Sequence, residues 1–84
     1  MYVEFFGIPR ERAGVCELEM DATTLGELLA TLADRFPGLR QLMTSNGLDA
    51  SITVNLNGDA FVSDPKTLLA EHDHVLLLSA DAGG

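Results

Sequence analysis

The sequence has one cysteine, no tryptophan, three prolines and only five basic residues among 84 positions. A single thiol, Cys16, supports neither an internal disulfide framework nor a four-thiolate zinc site, so packing alone must hold the fold. Five Lys and Arg against 13 Asp and Glu leave a formal charge of −8. That balance argues against binding nucleic acid or an anionic membrane, both of which require a basic surface. Long hydrophobic runs are missing too, since Val75 to Leu78 is far too short to span a bilayer. The opening Met1-Tyr2-Val3-Glu4-Phe5-Phe6 lacks a basic leader, and Pro9-Arg10-Glu11-Arg12 interrupts any signal core. These absences predict a soluble, cytoplasmic protein.

What is present suffices for one small domain. The length permits a single modest core. A hydrophobic content of 46% argues against disorder despite the charge. Tyr2 to Phe6 reads as a strand, and Val15 to Met20 alternates as a second, with Cys16, Leu18 and Met20 on the inward face. Gly7 to Gly14 is a polar connection with room for one helical turn. Thr24-Leu25-Gly26-Glu27 matches a capping box. Leu25, Leu28, Leu29, Leu32, Ala33 and Phe36 then form one apolar helical stripe that Pro37-Gly38 ends. Gly26 predicts a local weakness of about 1 kcal/mol relative to Ala. Leu39, Leu42 and Met43 suggest a short second helix ended by Ser45-Asn46-Gly47. Ile52 to Leu56, the turn dipeptide Asn57-Gly58 and Ala60 to Val62 describe a hairpin. His74 to Ala80 is apolar enough to be a central strand. The order predicts an α+β roll: a mixed sheet of four to five strands with one main helix across it. Residues 1–80 form the domain, and 81–84 a flexible tail ending in Gly-Gly.

Self-contained active sites are not evident. Cys16 reads as a small buried hydrophobe. His72 and His74 flank Asp73 without a third or fourth ligand in view, so that turn reads as solvated rather than as a metal site. Ser63, Asp64 and Lys66 form a polar turn, and Ser45-Asn46-Gly47 lacks the flanks of a phosphate loop. The end of the chain is different. Glycine adds no packing and is costly to order, so Gly83-Gly84 does nothing for the fold. On residues alone two readings stand: an unstructured end that tolerates small residues, or a reactive Gly84 carboxylate on a slim tail. Asp81 to Gly84, fully extended, reaches about 13 Å.

The chain resembles the MoaD/ThiS family of ubiquitin-like sulfur carriers, of β-grasp fold. Val3-Glu4-Phe5-Phe6 followed by Arg10-Glu11-Arg12-Ala13-Gly14 is similar to the opening strand and loop of the small subunit of molybdopterin synthase. Thr24-Leu25 with Leu28-Leu29 and Leu32 resembles the family's helix. Asn57-Gly58 resembles its hairpin, Asp73-x-Val75 the approach to its last strand, and Gly83-Gly84 its terminus. The resemblance implies a non-catalytic chain that binds no cofactor or metal. A ubiquitin-activating-enzyme-like adenylyltransferase, using ATP and Mg, adenylates Gly84, and Gly83 helps thread the tail. A persulfide sulfur donor then converts Gly84 to a thiocarboxylate. A sulfur-accepting synthase, such as the molybdopterin synthase large subunit, takes the sulfur for a pterin precursor of the molybdenum cofactor.

The family's docking patch lies on the last strand, which implies contacts by Leu78 and Phe61 first, then Leu76, Asp81 and Ala82. Leu76 and Leu78 share one face of that strand, and Val75 and Leu77 the other. One pair must face the helix; the other, with Phe61, Phe5 or Ile8, is the candidate patch, toward which excess carboxylates would draw a basic partner. Burial of both faces is the alternative. The run Leu78-Ser79-Ala80-Asp81-Ala82 lacks the proline common before the family's diglycine. His72 and His74 stand where glycine and an acidic residue are common. Carriers for thiamin, cysteine or specialised metabolites, a ubiquitin-like modifier, and a binding module with an inert diglycine are the alternatives.

Overall fold

The computed structural model describes residues 1–83, and Gly84 lies outside the described residues. Strand β1 (Tyr2–Phe5) leads into helix α1 (Ile8–Ala13), strand β2 (Glu17–Glu19) and the main helix α2 (Leu25–Arg35). A 3₁₀ turn (Pro37–Leu39) follows, then the short strands β3 (Met43–Thr44) and β4 (Gly47–Leu48). Strands β5 (Ile52–Leu56), β6 (Ala60–Val62) and β7 (His74–Ser79) precede a last helical turn, α3 (Ala80–Gly83). Five strands form one mixed sheet in the order β2-β1-β7-β5-β6. The first and last strands pair in parallel, β7 pairs antiparallel with β5, and β2 and β6 are the edges. This is the α+β roll expected from the element order.

Helix α2 crosses one face. Thr24 caps it, its hydroxyl oxygen accepting the Glu27 N–H at 3.2 Å. The Glu27 carboxylate reaches back to Thr23 rather than Thr24, accepting from its hydroxyl at 2.7 Å. Thr24 instead bridges Leu68. The open N–H groups of Leu25 and Gly26 donate to the carbonyls of Thr67 and Pro65, both at 2.9 Å. A connection distant in sequence thus finishes the helix start. The stripe of Leu25, Leu28, Leu29 and Leu32 is fully buried against Val3, Phe5, Val54, Val75 and Leu77. Each such leucine contributes roughly 2 kcal/mol of transfer free energy.

The hairpin forms as expected, with Asn57 at φ 59° and Gly58 at φ 69°, the positive pair that a type I′ turn requires. Three expectations are corrected. The second helix is absent: Leu39, Leu42 and Met43 enter the core from a 3₁₀ turn and a two-stranded hairpin. Their spacing suits a helix, but Pro37-Gly38 allows only a tight turn before the chain must reverse under α2. Cys16 is exposed. It lines an open groove of about 570 Å³ with Gly7, Arg10, Glu11, Gly14 and Val15, ahead of β2, which begins only at Glu17. The last strand ends at Ser79 and not at Ala80, because residues 80–83 form a turn of helix. Alanine favours helix, and the Asp81 carboxylate complements the first turn.

Candidate functional site

Strand β7 runs through the middle of the sheet and delivers the terminus at its far end. Val75 and Leu77 point into the core, so Leu76 and Leu78 point to the face without a helix. Register extends that face. Leu76 stands between Glu4 of β1 and Asn55 of β5, and Asn55 is opposite Phe61 of β6. Leu78 is opposite Thr53. Phe6 continues β1, its N–H donating to the Leu77 carbonyl at 2.9 Å.

The placements of the expected patch residues differ from one another. Phe61 is 59% exposed. Leu76 is half-buried, whereas Leu78 keeps only 8% of its surface in contact with solvent. Phe5 is in the core at 1% exposure, and Ile8 packs partly against the core, so neither belongs to the patch. Phe6, 53% exposed, takes their place. Period-two alternation already separates Phe6 from Val3 and Phe5, and that signal identifies it.

The other end of this face is polar and acidic. Register sets Glu17 beside Glu4 and Glu19 beside Tyr2. The Tyr2 hydroxyl donates to the Glu17 carboxylate. This hydrogen bond, with slight burial and the charges of Glu17, Glu4 and Glu19, pushes the Tyr2 pKa up to about 12. His74 Nε2 lies 3.0 Å from Glu4 Oε1, and its ring meets Tyr2 edge-on with centroids 4.7 Å apart. Asp73 does not face this row. Its carboxylate accepts from the Asn57 side chain at 2.9 Å and the Ala70 N–H at 2.7 Å, and both hold its pKa below the usual carboxylate value. Among the described residues no three His, Cys, Asp or Glu side chains gather as a metal site. No helix among them is long and apolar enough to cross a membrane.

Past β7, the Ala80 N–H donates to the Ser51 carbonyl at 2.8 Å, and α3 packs against β5 and β7. Asp81 is exposed. One turn of helix advances about 6 Å, half the extended reach. Gly83 closes that turn, while Gly84 lies outside the described residues. An open sheet face with apolar and acidic parts therefore adjoins a slim C-terminal segment.

The ThiS family matches residues 3–84, tail included. The chain belongs to the ThiS family, whose members are ubiquitin-like sulfur carriers and modifiers. Solved structures agree. Small archaeal modifier protein 1 of Haloferax volcanii is 27% identical, covers 100% of this chain and 98% of its own, and has a TM-score of 0.72. A chain of the Amycolatopsis orientalis BexX/CysO complex is 25% identical over 99% of this chain and 98% of that one, with a TM-score of 0.77. A Pyrococcus furiosus protein assigned as molybdopterin converting factor subunit 1 is 23% identical over 93% of each chain, with a TM-score of 0.77. That last likeness is one of fold, and the fold of this ThiS-family chain is the β-grasp. No curated protein sequence matches it.

Proposed function

We propose that this ThiS-family chain carries sulfur on Gly84 as a thiocarboxylate. Its first candidate acceptor is a pterin precursor of the molybdenum cofactor. The observation that carries the reading is the continuous family match through Gly83-Gly84, at the end of a central strand that borders an open face. The choice of pathway is supported by the likeness of Val3-Glu4-Phe5-Phe6 and Arg10-Glu11-Arg12-Ala13-Gly14 to the molybdopterin synthase small subunit.

The chemistry is delegated to partners. A carboxylate resists attack because its leaving group would be oxide. An adenylyltransferase, working with ATP and Mg, lets the Gly84 carboxylate attack the α-phosphorus and releases pyrophosphate. The resulting acyl-adenylate has AMP as a good leaving group. The terminal sulfur of a persulfide attacks the acyl carbon and displaces AMP. A thiol then attacks the other sulfur of the persulfide's S–S bond, forming a disulfide with it and releasing the thiocarboxylate. Such a group is a soft nucleophile that stays anionic at neutral pH, ready for the synthase that accepts the sulfur. The sheet face docks the chain: Phe6, Phe61 and Leu76 supply apolar contact, and Glu4, Glu17 and Glu19 suit a basic rim on the partner.

A second reading, conjugation of Gly84 to lysines of other proteins, is supported by the likeness to small archaeal modifier protein 1 at 25% and 27% identity. Pyrophosphate release with the cognate adenylyltransferase tests the shared first step. It is expected for the natural chain and lost when Gly84 is deleted. Equal release from the shortened chain refutes activation at Gly84.

A further inference from the structure

Ser79, the last residue of β7, is a polar side chain buried at the root of the tail, with 7% of its surface exposed. Its Oγ accepts the Ile8 N–H at 2.8 Å, across 71 positions of sequence. Ile8 opens α1, where a backbone N–H has no partner within its own helix. The chain arrives there through Gly7 at φ 66°, a conformation that favours glycine. The two residues also touch: a Cβ on Gly7 would lie 2.3 Å from Ser79 Oγ and would force that hydroxyl to move. One residue later, the Ala80 N–H is held by Ser51. The end of β7 is therefore fastened on one side to the β1–α1 loop and on the other to the residue before β5. Beyond these two fastenings come the residues that carry the reactive terminus.

We propose that Ser79 is a positioning residue, whose hydroxyl, seated against Gly7, fixes where the chain ends β7 and turns into α3, and so the origin of the C-terminal segment. The proposal rests on the carrier reading above. Capping α1 needs an acceptor for Ile8 but sets no place for Ala80. Docking of the sheet face does not use Ser79. Fixing that origin uses both fastenings together. A tethered carboxylate meets a partner's active site at an effective concentration set by the tether's origin and freedom. Transfer chemistry is sensitive to displacements of about 1 Å.

Ser79→Ala removes the acceptor, and Gly7→Ala disturbs the same contact from the opposite side. Amide hydrogen exchange on the isolated chain reads the first consequence. Protection at Ile8 and at Ala80 is expected to fall together by about tenfold, with Val54 and Leu77 unchanged. Loss at Ile8 alone overturns the proposal and leaves Ser79 as a helix cap. Steady-state activation by the cognate adenylyltransferase reads the second. The expected result is a kcat lowered about tenfold with the KM for the carrier within about twofold. An unchanged kcat overturns the proposal. If the natural chain is not activated either, the carrier reading fails and the proposal falls with it.

Discussion

Gly26 has no room for a side chain: an added Cβ would meet the Ser45 carbonyl oxygen at 2.7 Å and Pro65 at 3.2 Å. Helix propensity alone makes Gly26→Ala stabilising by about 1 kcal/mol. The backbone contact reverses the sign, and the substitution is expected to cost about 1–3 kcal/mol in urea denaturation. Tyr2 offers a second check, because it is the one tyrosine in a chain without tryptophan. Phenolate absorbance is expected to titrate near pH 12, and Glu17→Ala to return the midpoint toward the ordinary value of about 10. The folded pKa lies above the unfolded one. The stabilisation is therefore complete below about pH 10 and is lost as pH rises through about 12. At this scale the sequence revealed which residues share a strand face, as with Phe5 and Phe6. It did not reveal that β2 begins only at Glu17, which leaves Cys16 ahead of the strand and exposed.

Among the elements, side-chain hydrogen bonds tie the β5–β6 hairpin to the start of β7. The Asn57 Oδ1 accepts the His74 N–H at 2.8 Å while its amide donates to Asp73. Because the Asp73 pKa is lowered in the fold, its contribution is present above the unfolded carboxylate pKa of about 3.9 and is lost as pH falls below it. Asp73→Asn is expected to shallow the acid-unfolding limb below about pH 4, followed by circular dichroism. An unaltered limb would place the acid sensitivity elsewhere, for example at Asp49, whose carboxyl is also held low by Ser51. Elements with local signals were readable, namely the Thr24 cap and the Asn57-Gly58 turn. Those completed from far along the chain were not. The start of α2 is finished by Pro65 and Thr67, and Leu39, Leu42 and Met43 take their shape from the space beneath the helix.

The whole molecule is a one-sided sandwich in which helix α2 covers one sheet face and leaves the other without a long helix across it. Element order and apolar periodicity made this architecture readable, and the resemblance pointed to the tail. Which strand face stays open depends on packing, because Val75-Leu76-Leu77-Leu78 is apolar on both sides. Phe6→Asp together with Phe61→Asp is expected to change stability by no more than about 0.5 kcal/mol, since both rings are largely exposed. The same pair is expected to weaken adenylyltransferase binding at least about tenfold in titration calorimetry. Unaltered affinity would move docking off this face. The central claim concerns one atom at Gly84, and intact-protein mass spectrometry reads it most directly. After incubation with ATP, the cognate adenylyltransferase and a persulfide donor, the account predicts a chain with one oxygen replaced by sulfur. An unmodified chain, or one found only joined to lysines, would contradict it.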